Sequence, residues 1–228
     1  MSQAVIIRSY SITDGELKQK ADGLADSLAR DLTDLAARKV TAASISDLQK
    51  LIDIFDDHST DDELLGLVKD ATDKKNDTRR QAEIAIRSIR NMADIAYSGK
   101  GKYSNFGFKD LTHVTDADFY RLLKRVVRMS TKNLTDLEPQ GLTQPQIDAL
   151  QVLTKTFDDD IDNIEEAIET RDDETQERII KGNALWAEMS KLASIGKAVY
   201  EDTNEAKFND YVLMPSPGGG GANDTPTA

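Results

Sequence analysis

The segment from Thr13 to Asp57 occurs twice, and a shift of 102 positions takes it without a gap onto Thr115 to Asp159. Leu32-Thr33-Asp34-Leu35 falls on Leu134-Thr135-Asp136-Leu137, Thr41 on Thr143, Ile45 on Ile147, Leu48-Gln49 on Leu150-Gln151, and Phe55-Asp56-Asp57 on Phe157-Asp158-Asp159. A hydrophobic period alone does not demand the polar identities Thr33, Asp34, Thr41 and Gln49, so the match predicts a duplicated structural unit.

Each copy reads as helical. In the first, Thr13 with Glu16 forms a capping box. Leu17, Ala21, Leu24, Leu28, Leu32 and Leu35 then follow at spacings of three and four, predicting one helix to about Arg38. After a turn at Lys39 to Ala43, a second stripe begins with Ile45, Leu48, Ile52 and Phe55. It resumes at Leu64, Leu65 and Val68, predicting one helix from near Ser44 to about Thr72. The polar run Lys74 to Thr78 reads as a turn. A third helix carries Ala82, Ala85, Ile86, Ile89, Met92, Ala93 and Ala96 and ends before Gly99.

The second copy opens at Thr115 and carries Phe119, Leu123, Val126, Ser130, Leu134 and Leu137. Pro139, Gly141 and Pro145 fall on the turn that the repeat places there independently. Ile147, Leu150, Thr154, Phe157, Ile161, Ile164 and Ile168 form its second helix. A turn is expected at Arg171 to Glu174. Ile179, Leu185, Met189, Leu192, Ile195 and Val199 form the third.

Short apolar pieces flank these helices. Val5-Ile6-Ile7, Phe106-Gly107-Phe108 and Tyr211-Val212-Leu213 read as extended segments at the unit ends, and Lys207 to Tyr211 echoes Lys102 to Phe106. From Pro215 the chain is rich in proline and glycine with little to bury, predicting a flexible tail. The fold class is therefore all-α: a tandem duplication of a long three-helix antiparallel unit, about six helices in a bundle. The expected division is 1–12 extended, 13–108 unit one, 109–214 unit two and 215–228 tail.

Composition narrows function. The 228 residues carry a net charge of −12, which opposes general binding to nucleic acid or to anionic membrane surfaces. Cysteine is absent, which excludes disulfides and thiolate metal sites. No secretory signal or membrane span is legible, so a cytoplasmic protein is expected, with export lacking a signal peptide as the alternative.

Asp158, Asp160, Asp162 and Glu169 occupy positions 1, 3, 5 and 12 of a calcium-loop template, the one candidate metal site. Against it, Asn163 stands where glycine is needed, Glu165 where an apolar residue is usual, and the apolar stripe runs on as a helix. His58 and His113 lie near predicted loops without ligand partners at suitable spacing. No phosphate loop, nucleophile elbow or Glu-x-x-His pair occurs. Arg121, Lys124, Arg125 and Arg128 form a basic stripe, read either as a patch for an acidic partner or as pairing with the acidic second helices. Trp186 reads as core, or as an exposed anchor.

The reading favours a non-enzymatic structural or protein-binding scaffold without cofactor, able to bind a protein partner or itself. Val5, Ile6, Ile7, Tyr211, Val212 and Leu213 are its candidate contact residues. An acidic ion-binding module and an enzyme with a carboxylate site between the units are the alternatives.

Overall fold

Thr13 starts the first helix as its spacing requires. Its hydroxyl accepts from the Glu16 amide at 3.2 Å while the Glu16 carboxylate accepts from the Thr13 amide at 2.8 Å, satisfying donors that a helix end leaves open. In the computed structural model, which describes residues 6–98, 100–108, 111 and 114–214, every regular element is helical and there are no strands among them.

Helix α1 (Asp14–Arg30) buries Leu17, Ala21, Leu24 and Leu28. Leu32–Leu35 forms a one-turn helix, α2, tightened by a 3-10 turn at Ala36–Arg38 that ends on Lys39 at φ 65°. Helix α3 (Ala42–Asp56) buries Leu48, Ile52 and Phe55. Helix α4 (Asp61–Tyr97) follows, then the short α5 (Gly101–Ser104). Helix α6 (Asp116–Lys132) is capped by Thr115. The second Leu-Thr-Asp-Leu forms α7 (Leu134–Leu137), again with a 3-10 turn, here ended by Gly141 at φ 96°. Lys39 and Gly141 are 102 positions apart. A left-handed residue thus closes both turns, and of the two Gly141 adopts that conformation freely. Helix α8 (Gln144–Tyr200) runs 57 residues, and α9 (Glu205–Asp210) is the last helix of the described residues.

Four expectations are corrected. The first helix, expected to run to about Arg38, ends at Arg30, and Asp31 separates it from α2. The second stripe breaks after Asp56, because Thr60 and Glu63 form a capping box that starts α4 anew. The polar runs Lys74 to Thr78 and Arg171 to Glu174 are helix interior: neither holds glycine or proline, and charge alone does not end a helix. The aromatic pieces are not extended. They follow the short helices α5 and α9, which turn Phe106 and Tyr211 inward to full burial. The expected tail, with Val5, Gly99 and His113, lies outside the described residues.

Packing divides the chain into two units. One joins the chain up to Ser59 with the chain from Asp173 onward; the other is Thr60–Asp172. The boundary expected between residues 108 and 109 runs through the second unit, so division by packing and division by repeat differ. In the first unit α1 and α3 pack with the C-terminal part of α8. Leu17, Leu24, Leu28, Leu48 and Ile52 meet Leu185, Met189 and Leu192, and Tyr211 closes the end. In the second, α6 and the N-terminal part of α8 pack with α4. Phe119, Leu123, Leu150 and Phe157 meet Ala82, Ile86 and Ile89, closed by Phe106. Trp186 is half-buried on the first core, its ring 6.3 Å from that of Tyr10.

The Tyr211 ring lies directly against Gly196, where a Cβ would overlap the ring carbons. Gly196→Ala is therefore expected to destabilise the protein by about 1–3 kcal/mol, because overpacking a fully buried ring outweighs the ~1 kcal/mol that alanine gains in a helix. Thermal melting followed by circular dichroism reads this directly.

Candidate functional site

Leu-Thr-Asp-Leu presents its aspartate outward at the end of each first helix, and there a tyrosine and a lysine converge on it. In the first unit the Tyr200 hydroxyl donates to Asp34 at 2.7 Å, and the Lys207 ammonium reaches Asp34 at 3.1 Å while lying 4.7 Å from the Tyr200 ring centroid. In the second the Tyr97 hydroxyl donates to Asp136 at 3.0 Å, and Lys102 reaches it at 2.6 Å. The Tyr200 hydrogen bond chiefly holds the Asp34 carboxyl below its usual range; for Asp136 the Lys102 contact leads. Burial pushes the Tyr97 hydroxyl up to about 12 and raises that of Tyr200.

The first cluster goes deeper. The Asp31 side chain is fully buried. It accepts from Arg30 at 2.6 Å, Lys207 at 2.7 Å and the Tyr211 hydroxyl at 3.0 Å, and Tyr211 also donates to the Ser27 carbonyl. The Arg30 guanidinium, ahead of its other partners, holds the Asp31 carboxyl far below the usual carboxylate range. Residues 102 positions from Asp31 and 105 from Tyr211 are Asn133 and Phe106. The second unit thus lacks both the buried charge and the hydroxyl that answers it. Through Lys102 and Lys207 these clusters fasten α5 and α9 to their units.

The calcium-template residues lie along α8. Asp160 is buried, accepts from the Thr78 hydroxyl at 2.6 Å and sits 3.1 Å from the Lys74 ammonium. Asp162 and Glu169 are exposed, and one continuous helix sets Asp158 and Glu169 about 16 Å apart along its axis. Among the described residues no three carboxylate or histidine groups gather as a metal set. His58 stands 3.6 Å from Glu174.

Of the candidate contact residues, Ile6 is half-buried and Ile7 is 80% exposed, with its carbonyl held by the Asn183 amide at 2.9 Å. Tyr211 is spent on the core; Val212 and Leu213 are half-buried.

The basic stripe divides. Arg125 donates to the Asn105 carbonyl at 2.7 Å and the Ser104 carbonyl at 3.3 Å, so it holds the end of α5. Arg121, Lys124 and Arg128 are exposed, and among the described residues none makes an ion pair. The pairing expected with the acidic second helix is not seen among the described residues; Asp159 on α8 pairs with Lys155 of its own helix. Between α6 and α8 runs an open groove of about 320 Å³ lined by Tyr120, Lys124, Val127 and Arg128 from α6 and by Gln151, Thr154, Lys155 and Asp158 from α8. Lys124 sits 5.0 Å from the Tyr120 ring centroid. The sequence showed the cations; it did not show the groove, because nothing in the period of α6 says which residues α8 leaves uncovered.

Compared with protein-family models, curated proteins and solved structures, the chain matches none. No described helix is long and apolar enough to cross a membrane.

Proposed function

We propose that the chain is a non-enzymatic, protein-binding helical scaffold, built by head-to-tail duplication of a three-helix repeat whose copies exchange their third helices. The observation that carries the binding reading is the row of exposed cations on α6. Among the described residues Arg121, Lys124 and Arg128 make no ion pair in a chain of net charge −12, and Lys124 and Arg128 line a groove that also holds Tyr120 and Val127 and, from α8, Gln151, Thr154, Lys155 and Asp158. Unpaired like charges on one helix face repel, and an acidic partner removes that cost. The charges set partner choice and encounter rate, and the apolar floor supplies contact.

Support for duplication comes from the paired clusters. Tyr200, Asp34 and Lys207 recur as Tyr97, Asp136 and Lys102, and in both the tyrosine and lysine come from one repeat and the aspartate from the other. Support for a non-enzymatic role comes from the buried acids. Asp31 and Asp160 are each buried and tied to hydroxyl and cationic partners.

The test is binding of a fluorescently labelled acidic amphipathic helical peptide, followed by anisotropy at about 0.15 M salt. Binding that falls at least tenfold in Lys124→Glu/Arg128→Glu supports the reading. No binding, or binding indifferent to that change, rejects it.

A further inference from the structure

We propose that α4 carries the contact face of a symmetric pair of copies of this chain, in which two α4 helices pack antiparallel along an uncharged stripe. The stripe is Gln81, Ile84, Ser88, Asn91, Ile95 and Ser98, at spacings of three and four. That spacing puts all six on one line of the helix surface, about 25 Å long. All six are exposed, and none is charged in a chain of which 31% is charged. Ile84 is 62% exposed and Ile95 69%, while the opposite face of α4 buries Ala82, Ile86, Ile89 and Ala93. Single exposed apolar residues are ordinary; here two share one line with only Ser88 and Asn91 between them. The whole stripe belongs to the second packed unit, and none of it lines the α6 groove.

The side chains flanking the stripe choose the occupant and its direction. With a two-fold axis between positions 89 and 90, Ile84 meets Ile95 of the second copy and Ser88 meets Asn91, the layering that antiparallel helices of this period adopt. On one flank Arg87 then faces Asp94 of the second copy, and Asp94 faces its Arg87, so the face answers itself in charge. Within one copy the Arg87 side chain reaches Glu83 at 3.3 Å yet stays 56% exposed, and Asp94 is exposed and makes no ion pair among the described residues. On the other flank the half-buried Ala85 faces the half-buried Met92, a small side chain against a long one. A parallel pairing would instead lay Arg87 beside Met92 and Arg80 beside Ala85, cation against apolar side chain. The contact is isologous, so it closes at two copies. It is narrow and its ion pairs are exposed, so the association is weak and reversible.

Sedimentation velocity on the full chain tests this. At about 0.15 M salt the mass is expected to rise with concentration from the 25.2 kDa of one copy towards twice that value and no further. Ile84→Lys/Ile95→Lys is expected to weaken the association at least about tenfold, since both apolar layers are lost. Arg87→Asp and Asp94→Arg are each expected to weaken it as well, because each sets like charges across the axis. Mixed in equal amounts, these two single variants restore both opposite-charge contacts and pair with each other, and the double variant Arg87→Asp/Asp94→Arg pairs with itself. Circular dichroism is expected to show unchanged helicity throughout, since all four side chains lie on the surface. A wild-type chain that stays at one copy at every concentration overturns the proposal, as does association that Ile84→Lys/Ile95→Lys leaves intact. Charge variants that associate like the wild type, or that fail to recover pairing when mixed, overturn the antiparallel register and the pair built on it.

Discussion

Asp31→Ala is expected to destabilise the protein by about 2–4 kcal/mol. The change removes a fully buried carboxylate and leaves the buried Tyr211 hydroxyl with the Ser27 carbonyl alone. Breaking a wholly buried ion pair costs about 3–5 kcal/mol. The lower figure applies because Arg30 and Lys207 keep 49% and 30% exposure and can return to water. Urea unfolding at pH 7 measures it.

The pH dependence has a definite sign. The Asp31 carboxyl is held below its ordinary value, so in the folded state it stays ionised where the unfolded chain has begun to take up a proton. Its stabilisation is complete above the unfolded value of about 4 and is lost as pH falls towards the depressed folded value. The wild type should therefore lose more stability than Asp31→Ala on acidification below about pH 4. The second unit supplies the compensating change. Asp31→Asn combined with Tyr211→Phe copies the Asn133 and Phe106 found there, and the double variant is expected to cost less than the sum of its parts.

Much of the architecture was legible because local rules and the repeat agreed. Thr13 and Thr115 cap helices where the spacing placed them, and the stripe from Leu17 to Leu28 is the buried face of α1; Thr41, inside the expected turn, caps α3 ahead of the start expected near Ser44. Thr60 was passed over because the apolar period continues across it; Glu63 three residues on was the signal of a new start. Lys74 and Thr78 were read as a turn because they are polar, yet they lie inside α4 and face Asp160 on α8. The pairing of helices was not legible. Periodicity states which face a helix buries but not which copy it buries that face against, and the stripe of α4 fits either repeat's first helix. The cations of α6 were legible as a row. Their lack of partners was not, because an acidic composition makes internal pairing the natural expectation until Lys155 is seen to take Asp159.

The central claim is that each packed unit joins segments from both halves of the chain, so the halves cannot be parted without exposing both cores. α1 and α3 meet Leu185, Met189 and Leu192 of the C-terminal half, while α4 meets Phe119, Leu123 and Phe157 of that half. The most direct measurement inserts a specific protease site between Phe108 and Thr115 in the full chain and cleaves the folded protein. The expected result is two fragments that co-elute as a 1:1 complex with undiminished helicity and separate only in denaturant. Fragments that part under native conditions, each retaining its helices and a cooperative melting transition, would contradict it.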